Sequence, residues 1–568
     1  FGMTALDAIT TGSDNTAMGY NALSDLTTGE GNTVIGTRAG ASMTSASENT
    51  IVGFSGSKAL TGGYNTVIGS TAGAAATSMD HCVIVGRAAG GGGAITGDHN
   101  VYLGSSAGYN TAGGNKNVYI GHQSGFTSVT VQESVAIGYQ AAYSLVEGLT
   151  TAIGYYAGRD MTTGSNTLIG YEAGQNLTTG TYNTAIGQDT LENNLTGNRN
   201  VAIGRAALQN STEGYNVAVG YGAMINATSA ANTVAIGYFA MEELTTGAGN
   251  TAVGNVSQQA ITTGNYNTSV GKNTLTLNVH GDLNTAIGYE ALKVSAAADG
   301  TAGNTAVGAY AGDSVTTGVR NTLMGHEAGQ SLTTQSYNTM VGERAGTNSS
   351  DGVYNTFVGY LAGYNNAHAS GRNTMIGSNA GQSANSQYQS VFIGQEAGYG
   401  SSSSGYNNIV IGRQAGYSMT SALANVWIGA SAGYAATTAD KSVFIGESAG
   451  KAVTTQDGAV LIGFEAGRLQ EVGSGGSVAV GHQALYSGTQ NYQDVAIGYN
   501  AGRKATGGSA NNVFLGSAAG PSTAGAVSNQ LYIHNAEGTP LIYGEFDNDL
   551  VTINGNLNTH NMRPLTND

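Results

Sequence analysis

The sequence predicts an all-β chain: a parallel β-solenoid (β-roll) of about 30 coils of ~17 residues, packed against other chains as an obligate oligomer and closed by a small C-terminal β cap. Three observations carry this expectation. A short phrase typified by NTAIG recurs thirty times between Gly19 and Gly516, in steps of 16 to 20 residues. The composition is that of a repeat protein, with 90 glycines, 3 prolines and only 10% charged side chains in 568 residues. Lastly, the middle column of the phrase is apolar where an isolated solenoid would be polar.

The spacing comes first, because a step this uniform leaves no room for helices or separate domains between copies. Each copy is therefore one coil of a stack. One residue before the motif glycine, all thirty copies carry an aliphatic residue or Met, as at Ile35, Ile120, Ile287 and Ile428. This column is expected to form the coil core. Three residues before the glycine stand fifteen Thr, fourteen Val and Ile409, which favour a strand. Alternation along a strand places them on the same side as the aliphatic column.

The residue between these two columns then points the opposite way. It is apolar in twenty-nine of thirty copies, with Ser269 the exception. It is Ala286 and other alanines mid-chain, and it becomes bulky later, at Phe357, Phe392, Trp427, Phe444 and Phe514. A strand apolar on both faces is buried on both, so these residues are expected to pack against other chains. The alternative, that another part of the same coil covers them, stays open at this point.

Four residues before the glycine, twenty-one copies carry Asn, including Asn15, Asn32, Asn284 and Asn321. Asn bonds its own backbone at turns, and stacked Asn side chains pair from coil to coil, so this column reads as a structural turn ladder. The motif glycine, a small residue three places on, and frequent TTG closures supply the corners. At the usual strand spacing, thirty coils would make a rod on the order of 140 Å long.

The phrase stops after Gly516. The solenoid is therefore assigned to residues 1–527 and a cap or neck to 528–568, where QLYIHN, PLIYGEF and LVTING alternate with turn signals. Thr559 to Asp568 read as an extended tail or a junction. The start at Phe1 rather than Met suggests processing or an incomplete record.

The phrase of Asn, β-branched residue, small residue, aliphatic and Gly resembles the repeat of the YadA-type trimeric autotransporter adhesin head, over roughly residues 15–527. The closing LYIHN and TPLIYGEFDNDLVTING resemble the segment that precedes the endosialidase-type intramolecular chaperone of phage tail fibres. These resemblances imply a trimeric fibre, extracellular, on a virion tail or a cell surface. They also imply a host or surface receptor as partner, with a glycan among the candidates.

Chemistry is weakly signalled. A net charge of −16 disfavours nucleic acid, and no apolar run is long enough to span a membrane. The only cysteine, Cys82, beside His81, reads as a substitute for Asn in its column, and no metal or cofactor motif is present. The glycine run at 88–97 reads as a loose turn. Glu242 with Glu243, and Glu545, Asp547 and Asp549, are the carboxylates a glycan depolymerase could use, although adjacent surface carboxylates are usually only solvated. Thirty-one tyrosines, many directly after the motif glycine (Tyr20, Tyr139, Tyr155, Tyr171, Tyr221, Tyr289, Tyr360, Tyr499), either stack on sugars or form a packing ladder along a corner. The expected function is a structural and adhesive fibre, not an enzyme. Its rivals are an ice-binding or other crystal-surface solenoid and a depolymerase tail spike. Against the ice-binding rival stands the expectation that the Thr column faces the core.

Overall fold

The computed structural model describes residues 2–295, 300–366, 371–401, 405–470, 475–488, 492–536 and 539–555. The tail expected at 559–568 lies outside them. The chain folds as two compact units, one over Phe1–Asn284 with Ala298–Gly300 and one over Thr285–Ala297 with Thr301–Asp568.

Both units are parallel β-solenoids. The first holds sixteen three-residue motif strands, from Thr16–Met18 to Thr268–Val270, and the second fourteen, from Thr285–Ile287 to Val513–Leu515. Within each unit the motif strands pair in parallel with their counterparts one coil on, with equivalent residues opposite each other. Thr16 meets Thr33, Ala17 meets Val34 and Met18 meets Ile35; Thr285 meets Thr305 and Ile287 meets Val307. The phrase therefore sets the register by itself: each coil presents the same residue type at the same height.

The motif glycine is required by two constraints at once. Gly288 has φ +131, and a Cβ there would lie 2.5 Å from the carbonyl oxygen of Gly308 in the next coil. Two further corner positions, two and four residues after the glycine, also take positive φ, and these are often not glycine: Glu290 and Leu292 are examples. Packing on both sides of the corner holds side chains there that an isolated turn would avoid.

The strand alternates as expected, but with its faces exchanged. Ala286, Phe357, Phe392, Trp427, Phe444 and Phe514, expected between chains, are fully buried inside the coils of this single chain. Ile35 and Ile287, expected in the coil core, lie on the outer face with 36% and 39% of their surface exposed, and Ile120 and Ile428 are half-buried there.

The physical reason is a volume balance within each coil. The residue two before the glycine shares the interior with the residue four after it. Where the first is Ala, the second is usually long, as in Ala185 with Leu191, Ala202 with Leu208, Ala218 with Met224, and Ala286 with Leu292, all buried. Where the first is bulky, the second is glycine: Phe357 with Gly363, Trp427 with Gly433, Phe444 with Gly450. A Cβ at Gly363 would sit 2.7 Å from the Phe357 ring, and one at Gly433 would sit 3.0 Å from the Trp427 ring. A close-packed interior tolerates the two arrangements but not their sum. Ser269, the polar exception, is accommodated by Ser257 at 2.5 Å and Gln258 Nε2 at 2.8 Å, with Thr274 completing the cluster.

After Leu515 the chain continues into Gln530–Ile533, parallel to Val513–Leu515, and then into Ile542–Glu545 and Leu550–Ile553, both antiparallel. These three strands fall on the segments that the alternation and turn signals marked.

Candidate functional surfaces

Repetition distributes each residue type into a stripe. The functional reading therefore concerns columns, of which three stand out: an internal Asn ladder, an outward apolar stripe and a set of aromatic stacks.

The Asn column is internal and its role is structural. Asn32 Oδ1 accepts from the backbone N–H of Asn49 at 3.0 Å, while its Nδ2 donates to the Ala46 carbonyl at 2.7 Å. Asn15 and Asn321 repeat the pattern toward Asn32 and Asn338. Asn284 donates from both its backbone N–H and its Nδ2 to Asn267 Oδ1. One side chain thus ties the strand entry to its own turn and to the neighbouring coil, satisfying buried backbone groups that water cannot reach.

Two substitutes in this column show its chemistry. Cys82 is buried, its Sγ accepts from the Asn100 N–H at 3.4 Å, and burial pushes its thiol up to about 11. It occupies an Asn place, as the sequence suggested. Asp494 is fully buried; its Oδ1 accepts from the backbone N–H and Nδ2 of Asn512 at 2.8 and 2.9 Å, and its Oδ2 has no partner. Burial raises this carboxyl to about 6, against the lowering effect of the Asn512 bonds.

The outward face of the strands carries the aliphatic column and the Thr/Val column. Met18, Ile68, Leu103, Ile186, Ile203, Ile236 and Val270 are exposed in the first unit, and Ile287, Met324, Ile376, Ile409 and Ile497 in the second. Thr285, Thr305, Thr322, Thr339, Thr356 and Thr374 stand in register beside them. The Thr column is therefore on the outer face, contrary to the expectation that placed it toward the core.

Many of the tyrosines form ladders, while Tyr289 meets Tyr310 edge to face. Tyr139, Tyr155 and Tyr171 stack with centroids 5.2 Å apart and near-parallel rings, and Tyr399, Tyr417 and Tyr434 do so at 5.0 and 5.1 Å. His81 stacks between Tyr64 and His99. Arg199 lies over both Tyr182 and Tyr215. Inside these ladders each ring covers its neighbour's face, so the edges rather than the faces meet solvent. Face-on sugar stacking needs what the ladder has already used.

Glu242, Glu243 and Glu545 each bond to neighbouring side chains. Glu242 Oε2 accepts from Gln259 Nε2 at 2.6 Å and Glu243 Oε2 from Asn226 Nδ2 at 3.5 Å, each with an amide of an adjacent coil. Glu545 accepts from Tyr543 and Asn548 at the Ile542–Glu545 to Leu550–Ile553 turn. Among the described residues no group of three or more His, Cys, Asp or Glu side chains could hold a metal ion, and no helix is long and apolar enough to cross a membrane. No protein-family model, curated protein or solved structure matches the chain.

Proposed function

We propose that this chain is a structural and adhesive fibre protein, non-enzymatic and homotrimeric, from a phage tail or a cell surface, that contacts a host or surface receptor outside the cell. The observation that supports it is the outward aliphatic column. Each of its exposed members leaves more than a third of its surface in water. Eight of the sixteen members in the first unit are exposed to this extent, and a recurring exposed apolar stripe of this kind marks an interaction surface. A stripe that repeats with the coil is complementary to another copy of the same repeat. That the copies number three rests on the resemblance to trimeric adhesin heads and tail fibres. Sedimentation equilibrium tests it: a species of three chains is expected, and a well-folded monomer of 57.1 kDa would refute the assembly.

One observation favours a second reading. Six threonines in register on an outward face, Thr285 to Thr374, form the kind of regular hydroxyl array that can order water at a crystal surface. Val replaces Thr at Val83, Val101, Val118 and Val135, which interrupts that array in the first unit. Thermal hysteresis by the purified chain would establish this reading, and its absence would dispose of it.

A further inference from the structure

Where the repeat ends, the surface changes character. Elsewhere in the second unit successive motif strands pair in parallel, each in register with the next. Beyond Gly516 Pro521 and Pro540 flank the strands Gln530–Ile533 and Ile542–Glu545, bordering an open cleft of about 460 Å³. Two of the chain's three prolines line it. Proline walls are rigid before anything binds, which lowers the ordering cost of binding.

We propose that this cleft binds a neutral sugar residue of a surface glycan. The inference rests on the adhesive reading above and assigns it a site and a ligand class. The volume fits a small ligand. Its aromatic part differs from the ladders: Tyr532 and Tyr543 meet edge to face, centroids 5.4 Å apart at 74°. In such a pair one ring keeps its faces free of its partner, unlike the parallel stacks. Tyr532 is buried and packs on Phe514, so the half-buried Tyr543 supplies the ring for the apolar side of a sugar.

The polar part suits sugar hydroxyls. Ser522, Thr523 and Thr539 line the cleft and are exposed, and a hydroxyl can donate or accept. Asn554 is fixed by its Nδ2, which donates to the Pro540 carbonyl at 2.9 Å, leaving Oδ1 as an acceptor. Tyr543 Oη is held by Glu545 Oε1 at 3.2 Å. Lys504 lies outside the lining, its ammonium on the Ser522 carbonyl at 3.0 Å. Among the described residues the lining carries no charged side chain, and the chain's net charge of −16 opposes anionic sugars. An uncharged lining of hydroxyls, an amide and a ring matches a neutral residue.

The test is saturation-transfer NMR on the full chain with methyl glycosides of glucose, galactose, mannose and N-acetylglucosamine, and N-acetylneuraminic acid as the anionic comparison. At least one neutral glycoside is expected to bind. Tyr543→Ala should weaken it tenfold or more, and Thr539→Arg, on the exposed rim, should abolish it without altering the circular dichroism spectrum. Tyr155→Ala, in a ladder of the first unit, should leave binding unchanged. Binding that survives both cleft variants would overturn the site while leaving adhesion intact. Preferential binding of N-acetylneuraminic acid would overturn the neutral class. If no glycoside binds while the chain still adheres to host cells, the ligand class falls; if it adheres to nothing, the adhesive reading itself falls.

Discussion

The volume balance inside each coil makes the sharpest prediction. Phe357 is fully buried and its ring lies where a Cβ on Gly363 would come within 2.7 Å. Phe357→Ala removes a whole buried ring and should cost about 4 kcal/mol of local stability. Gly363→Leu alone forces a side chain into that ring and should cost at least about 3 kcal/mol. The double variant reproduces the pairing of Ala286 with Leu292, whose leucine already sits at φ 48. It should therefore cost only about 2 kcal/mol, much of it for a leucine at positive φ, giving a coupling near 5 kcal/mol. Native-state hydrogen exchange of the amides in and around Thr356–Val358 is the suitable assay, because coils in a solenoid open locally. Additive costs would refute the volume balance. An unchanged Phe357→Ala coil in the monomer would refute the inward placement.

Three other consequences are open to measurement. Asp494→Asn restores the usual residue of its column. The native carboxyl keeps its proton between the ordinary 3.8 and about 6 while the unfolded chain loses it, so stability falls across that window as pH rises. The variant should match the native chain near pH 3.5 and exceed it by about 3 kcal/mol at pH 7.5 in urea unfolding, a 2-unit shift at 1.36 kcal/mol each; parallel pH profiles would contradict this. Asn321→Ala strands the Asn338 N–H and the Gln335 carbonyl and should cost about 2–3 kcal/mol, seen as faster exchange at Asn338. Ile236→Asp with Ile287→Asp, both on the outer face, should reduce the sedimenting mass while leaving circular dichroism unchanged; an intact assembly would show that the stripe is not the contact.

Much of the fold was legible in the sequence because repetition supplies its own alignment. The glycine column fixed the period and the register, the β-branched column the strands, and the bonding capacity of Asn the turn ladder. What failed was the choice of face. A three-residue strand with apolar side chains on both sides offers no polarity contrast, so alternation alone has two equal solutions. The deciding signal lay in the same coil: glycine six residues after Phe357 and Trp427, leucine six residues after Ala185 and Ala286. It is a correlation of volumes, and a reading by polarity passes over it. The corner residues at positive φ, such as Val256 at φ 57, gave no signal either, because packing on both sides rather than intrinsic preference holds them there.

Exchanging the faces strengthens the case for a partner. Within the coils, the interior column ranges from Ala to Trp, and most changes are offset inside the same coil or by an adjacent one. The outward column never leaves Ile, Val, Leu and Met across thirty coils, although nothing inside the coil constrains it. A side chain facing only water has no physical reason to stay aliphatic at every repeat, since polar residues there would improve solubility without disturbing the interior. On the proposed assembly the restriction comes from outside the coil, from a counterpart that is itself uniform at the same spacing. Another copy of the same repeat has that property by construction. A receptor, which needs to be met only once, is better sought where the repetition ends.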